Sequence, residues 1–157
     1  MEFPSVWLES SLGGEAVVNR ECSVVYVFPM MGRAGEDLPD GWDSTPGARG
    51  CSVQSMAYAR AFDALSAAKA SVYGLSSQPR AELIEAQGRL GLPQELLSDS
   101  SGAVRAALEL PVFELGGETY LRRLAMGIRG GRIDHVSYPI FPPGSETAAV
   151  LAWLETS

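Results

Sequence analysis

Asp43-Ser44-Thr45-Pro46-Gly47-Ala48-Arg49-Gly50-Cys51-Ser52-Val53-Gln54 joins a loop rich in proline and glycine to a helical pattern, with a cysteine at the junction. That arrangement sets a thiol in the first turn of a helix. Unpaired backbone N–H groups and the positive end of the helix dipole favour an anion there. The expectation is an exposed, reactive Cys51 with a lowered pKa, because the thiolate is the nucleophilic form. Arg49, two residues earlier, is placed to add a fixed positive charge.

Upstream, Cys22-Ser23-Val24-Val25-Tyr26-Val27-Phe28 is almost wholly apolar and rich in β-branched and aromatic residues. It predicts a buried central strand, closed by Pro29, which cannot donate to a ladder. From Met30 to Gly50 no period appears, and glycines and prolines punctuate the run. A loop of this length inside a compact domain is usually functional. Within it, Trp42 either covers the thiol or fills a partner's pocket, or else anchors the loop to the body. Ahead of these, Phe3, Val6, Trp7 and Leu8 suggest a short strand, with a turn at Leu12–Glu15 leading into Ala16-Val17-Val18.

Downstream, Val53, Met56, Ala57, Phe62, Leu65 and Ala68 recur at helical spacing and predict a helix over 52–69. A strand follows at 71–76, then a helix at 80–90 that Gly91 terminates. Leu96–Asp99 predicts a short strand, and 102–108 a short helix with Ser100 and Ser101 as caps. Val112–Leu115, Gly116-Gly117 and Glu118–Ile128 read as a hairpin, and 133–138 as a further strand. A last helix covers 145–155. The order βαβα, then antiparallel strands, then a helix predicts an α/β thioredoxin-like three-layer sandwich, a mixed sheet flanked by helices. A single domain over 1–157 with an enlarged loop at 30–50 is expected.

The 157 residues are 46% hydrophobic and 20% charged, a globular composition with room for a core. A net charge of −7 argues against nucleic acid or an anionic membrane as partner. No apolar run is long enough to span a bilayer, and the first residues lack the pattern of a secretion signal. The expected location is therefore cytoplasmic, with Cys22 and Cys51 reduced at rest. His135, the only histidine, is a candidate metal ligand and a candidate partner in a Cys51–His135 dyad. Neither is favoured, because no second ligand is near in sequence and the strand reading puts His135 toward an edge. No metal or cofactor is expected. Tyr138, Phe141 and Trp153 either close the core or leave an apolar surface suited to a homodimer.

Several pieces resemble the peroxiredoxin family, in its bacterioferritin-comigratory or Q-type branch. They are the strand 24–28 ending in Phe28-Pro29, the Thr45-Pro46-Gly47 loop before Cys51, and Tyr73–Gln78. Leu92-Pro93 with Leu96-Leu97-Ser98-Asp99 also fits, as does Arg123 ahead of a strand and a Gly-containing turn. The similarity covers roughly residues 22–135. It implies a thiol peroxidase in which Cys51 becomes a sulfenic acid and Arg123 stabilises the charge that develops. Arg122 would point to the opposite face of the strand. Pro46, Arg49, Gly50 and Trp42 would shape the substrate site.

Three departures qualify the resemblance. Ala48 stands where the family has Thr or Ser, leaving Ser52 or Thr45 as substitutes. Pro29 lies 22 residues before Cys51, much farther than in the family, so the loop carries an insertion. Met56 occupies the position of the resolving cysteine of many Q-type members. Cys22 is a poor replacement, since a rise of about 3.3 Å per residue puts it roughly 23 Å from Pro29 and a disulfide needs Cα atoms within about 7 Å. The implied enzyme has one working cysteine. It acts on hydrogen peroxide or an organic hydroperoxide, and its reductant is an external thiol, thioredoxin-like or of low molecular weight. The alternatives are a scaffold diverted to other catalysis on a small molecule, and a thiol redox sensor.

Overall fold

The computed structural model describes residues 1–33 and 35–156. In chain order the elements are β1 (Leu8–Ser10), β2 (Glu15–Ala16), β3 (Cys22–Val27), α1 (Cys51–Ala67), β4 (Ser71–Ser76), α2 (Arg80–Leu90) and β5 (Glu95–Ser98). Then come α3 (Ala103–Leu108), β6 (Val112–Leu115), β7 (Glu118–Leu121), β8 (Leu124–Arg129), β9 (Arg132–Ser137) and α4 (Thr147–Leu154). Seven strands form one mixed sheet in the order β2-β1-β5-β4-β3-β8-β9, and β6-β7 form a separate hairpin. This is a thioredoxin-like α/β sandwich.

The continuous apolar run of β3 has a direct cause. It pairs in parallel with β4 and antiparallel with β8, and both its faces are covered. Val24, Tyr26 and Phe28 meet Tyr58 and Leu65 of α1, Leu83 of α2 and Val150 of α4 on one face. Val25 and Val27 meet Leu75, Leu97, Val104 and Phe3 on the other. The two βα crossovers put α1 and α2 on the same side, and α1 therefore begins just beyond the carboxyl end of β3. That end of the sheet is where such folds assemble their sites.

The first strand is displaced from its expected place. Phe3 is buried as an anchor outside any named strand, beside an isolated bridge from Glu2 to Arg132, and the first strand begins only at Leu8, opposite Ala16. The serines expected to cap α3 yield to Asp99. Its two carboxylate oxygens accept from the N–H groups of Val104 and Arg105, each at 2.9 Å, while Ser101 Oγ takes only the Ala103 N–H at 3.3 Å. Asp99 is 1% exposed, so no water replaces a lost partner. Asp99→Ala is expected to cost about 1–2 kcal/mol in a denaturant titration.

The predicted strand over 118–128 is two strands in two sheets. β7 pairs with β6 and β8 with β3, and the chain breaks between them at Arg122 and Arg123. The Arg122 N–H donates to Pro111 O at 2.9 Å, its Nε donates to Val112 O, and its guanidinium lies over Phe113. Arg122 is thereby committed to the hairpin. Arg123 turns the other way because the backbone leaves one sheet for another, not because neighbours alternate along a strand. No helix among the described residues is long and apolar enough to cross a membrane.

Candidate active site

Cys51 is the first residue of α1. Its N-cap, Gly50, has φ 101°, a left-handed conformation that glycine adopts at little cost. A side chain at Gly50 would also strike the ring of Pro143. The turn before the thiol is thus fixed by backbone conformation and by a close neighbour. The Gln54 N–H donates to Gly50 O at 2.8 Å and closes the first turn.

Cys51 is 3% exposed, which differs from the exposed turn expected. Cys51 Sγ accepts from the Met30 N–H at 3.4 Å and from Arg123 Nη2 at 3.5 Å, and the thiol faces Ala48 O at 3.8 Å. Met30 lies just past Pro29 at the end of the central strand, so the sheet itself presents a donor to the sulfur. Arg123 does more than touch it. Nη2 also donates to Arg49 O at 2.7 Å and to Gly47 O and Ala48 O at 3.3 Å, and Nη1 donates to Gln54 Oε1 at 2.7 Å. One guanidinium fork therefore holds three successive carbonyls of the thiol loop, the helix and the sulfur together.

Burial also reverses the expected acidity. Desolvation pushes the Cys51 thiol up, and it outweighs the Arg123 charge and the Met30 N–H, which pull it down. Because the folded-state value lies above the unfolded one, its contribution to stability is full below the unfolded pKa. That contribution is lost as pH rises through the folded pKa. The expected pH profile follows. Alkylation of Cys51 by iodoacetamide, read on its own peptide by mass spectrometry, should keep accelerating above the ~8.5 of a free thiol. A plateau already reached near neutrality would contradict it.

The remaining sequence-selected residues separate clearly. Arg49 is largely exposed and pairs with Asp43 at 3.3 Å, so its guanidinium is not the charge beside the sulfur. Its carbonyl accepts from Arg123, and the residue lines the cavity over Cys51 together with Asp43 and Gly50. Pro46 is exposed on the outside of the loop. Trp42 is buried, 5.0 Å from the Tyr120 ring and 6.0 Å from that of Phe113, and packs with Ala48 in a small core of its own. It anchors the 30–50 loop to the β6-β7 hairpin. It also contributes to the wall of a cavity of about 250 Å³ over Cys51, shared with Met30, Leu38, Ser52 and Val53.

Ala48 explains the missing hydroxyl. It is fully buried against Trp42 and Phe113, where a hydroxyl would meet apolar surface. Thr45 does not replace it, because its Oγ1 donates to Gly41 O at 2.7 Å. Ser52 is the hydroxyl residue at the cavity. Cys22 stands at the far end of β3 opposite Arg129, and both cysteines are free. His135 stacks on Trp153 at 5.8 Å and pairs with Ser137 Oγ at 3.0 Å.

Gln54 and Glu146 were not selected from the sequence. Gln54 is fully buried and donates through Nε2 to Glu146 Oε2 at 2.9 Å. The only local hint was a polar residue one helical turn after the cysteine.

Solved structures place this architecture. A mutant of peroxiredoxin Q from Xanthomonas campestris superposes with a TM-score of 0.74 at 19% identity, over 98% of this chain and 95% of that one. The peroxidoxin BcpB of Mycobacterium tuberculosis gives 0.76 at 19% identity, over 98% and 94%. The fold is that of the peroxiredoxins. A mutant of peroxiredoxin 6 from Arenicola marina is also similar, with a TM-score of 0.72 at 13% identity, over 98% of this chain and 70% of that one. No protein-family model matches the chain, and no curated protein does. The peroxiredoxin fold is thus carried here by a sequence only 13–19% identical to those structures.

Proposed function

We propose that this protein is a one-cysteine thiol peroxidase acting at Cys51. The observation that supports the reading most is the sulfur's setting, between the Met30 N–H and the Arg123 guanidinium beneath a small cavity. These are donors for a thiolate and for an oxygen that leaves with negative charge. Cys51 thiolate attacks one peroxide oxygen, an S–O bond forms and the O–O bond breaks. The other oxygen departs as water or an alcohol after taking a proton. Cys51 is oxidised to the sulfenic acid and the peroxide is reduced. An external thiol then condenses with the sulfenic acid, releasing water and leaving a mixed disulfide. A second thiol attacks that disulfide and returns Cys51.

The external reductant follows from the distance between the cysteines, since Cys22 and Cys51 sit at opposite ends of the central strand. A cavity walled by Met30, Leu38, Trp42 and Val53, with Asp43, Arg49 and Ser52 also on its lining, suits a hydroperoxide with an apolar substituent as well as hydrogen peroxide. The bacterioferritin comigratory protein of Xanthomonas campestris, similar at 19% identity, is described with alkyl peroxide reduction activity. Ala48 and the raised thiol pKa favour a second reading, in which the same scaffold and nucleophile serve another reaction on a small molecule.

Peroxide consumption driven by dithiothreitol separates the two. The proposal expects turnover in the wild type and in Cys22→Ser and none in Cys51→Ser. Equal background consumption in all three would exclude it.

A further inference from the structure

Beyond the thiol and its arginine, a buried polar chain runs to the last helix. Arg123 Nη1 donates to Gln54 Oε1 at 2.7 Å, and Gln54 Nε2 donates to Glu146 Oε2 at 2.9 Å. Glu146 is the N-cap residue of α4, where a carboxylate would ordinarily accept from the helix's own N–H groups. It makes no such bond, and its side chain turns inward instead, 5% exposed. The segment ahead of it is seated closely on α1. Pro143 lies against Gly50, and a methyl on Gly144 would come within 2.8 Å of Ala57 Cβ. The C-terminal segment is thereby docked on the helix that carries the thiol, and it brings one carboxylate with it.

Charge makes the arrangement informative. Arg123 is 5% exposed and has no contact ion pair among the described residues. A buried cation without a counter-charge is costly. Glu146 is likewise buried, and one neutral amide separates the two. That amide has a single workable orientation, because turned over it would oppose donor to donor at Arg123 and acceptor to acceptor at Glu146. We propose that Glu146 is a positioning residue for Cys51: through Gln54 it holds Arg123 against the sulfur and balances the guanidinium charge from one amide away. The inference rests on Cys51 being the reacting thiol.

The consequence is electrostatic. A carboxylate in direct contact would claim the guanidinium and leave the thiolate less of its field. Set back by an amide, Glu146 compensates the buried charge and leaves the other half of the fork to the sulfur. The other titratable groups around the carboxylate stay neutral near pH 7. Burial, with Glu146 beside it, holds the Tyr58 phenol well above its ordinary value, and burial pushes Tyr26 up to about 12. Glu146 Oε1 and the Tyr58 hydroxyl, both buried, have no well-formed hydrogen bond. Gln54 Nε2 is thus the donor placed on Glu146 Oε2, with the Tyr58 hydroxyl beside the carboxylate.

The test moves the carboxylate by one residue. The Cys51 titration midpoint is taken from the pH dependence of iodoacetamide alkylation in the full chain, read on the Cys51 peptide. Glu146→Gln keeps an oxygen for Gln54 Nε2 and removes the charge, so the thiolate becomes the sole anion facing Arg123. Its midpoint should fall by about one unit, roughly tenfold in thiolate fraction. The exchange Gln54→Glu with Glu146→Gln puts the carboxylate in contact with Arg123, and its midpoint should rise above that of the wild type. An unchanged or raised midpoint in Glu146→Gln would overturn the proposal, as would an exchange variant at or below the wild type. If Glu146→Gln unfolds, the exchange variant alone decides by the same criterion. A carboxylate that merely supported packing would alter stability without this order. No peroxide is used, so slow peroxide oxidation with the order intact would sink the peroxidase reading and leave this one standing. Fast oxidation with no order would do the reverse.

Discussion

Arg123→Met is expected to slow the oxidation of Cys51 by peroxide on the order of 10²–10³-fold, the effect of removing one preorganised electrostatic donor. Two losses combine. The sulfur loses the charge and the N–H that pull its pKa down, so burial drives the thiol higher still. Gly47, Ala48 and Arg49 also lose the donor that their carbonyls share, and the loop before the thiol loses its clamp. Arg123→Lys separates the two, since it keeps the charge and cannot hold the fork. Its rate should fall between those of the wild type and the methionine variant. Stopped-flow oxidation at fixed pH, repeated across a pH series, checks both. A methionine variant as fast as the wild type would remove Arg123 from the chemistry.

Trp42→Ala should be the most damaging single change in the 30–50 loop. The ring packs against Phe113, Tyr120 and Ala48, and truncation of a buried tryptophan costs about 3–5 kcal/mol where the site cannot collapse. Much of that cost falls on the loop, because this small core is separate from the two that flank the sheet. The expected result is rapid proteolytic cleavage within 30–50 and fast amide exchange there, with β3 still protected. Exchange rates in the loop equal to those of the wild type would show that Trp42 is not its anchor.

Much of this was legible in the chain before any coordinates. The apolar run at 22–28 could only be a central strand, and the pairing of β3 on both sides bears that out. The second helix lies at 80–90 as expected, ending at Gly91 with φ 61°. These signals are local, so sequence carries them. The misreadings share the opposite property. Residues 118–128 read as one strand because alternation does not say which partner a strand takes, and the break at Arg122–Arg123 is set by two different sheets. Asp99 is the exception, a local cap for N–H groups five and six residues on, passed over because Ser100 and Ser101 lie nearer the helix. Cys51 was expected to be exposed because a loop precedes it. The depth at which Met30, Arg123 and Ala48 close around it is a tertiary result. Gln54 and Glu146 meet across 92 positions, and no spacing rule joins them.

The most direct test of the account is the intact mass of the reduced protein after brief exposure to a small excess of hydrogen peroxide, with Cys51→Ser alongside. The account predicts fast addition of one oxygen atom to the wild type, placed on the Cys51 peptide, trapped by a sulfenic-acid reagent and absent from the variant. Oxidation that is slow, or equal in the two proteins, would contradict it.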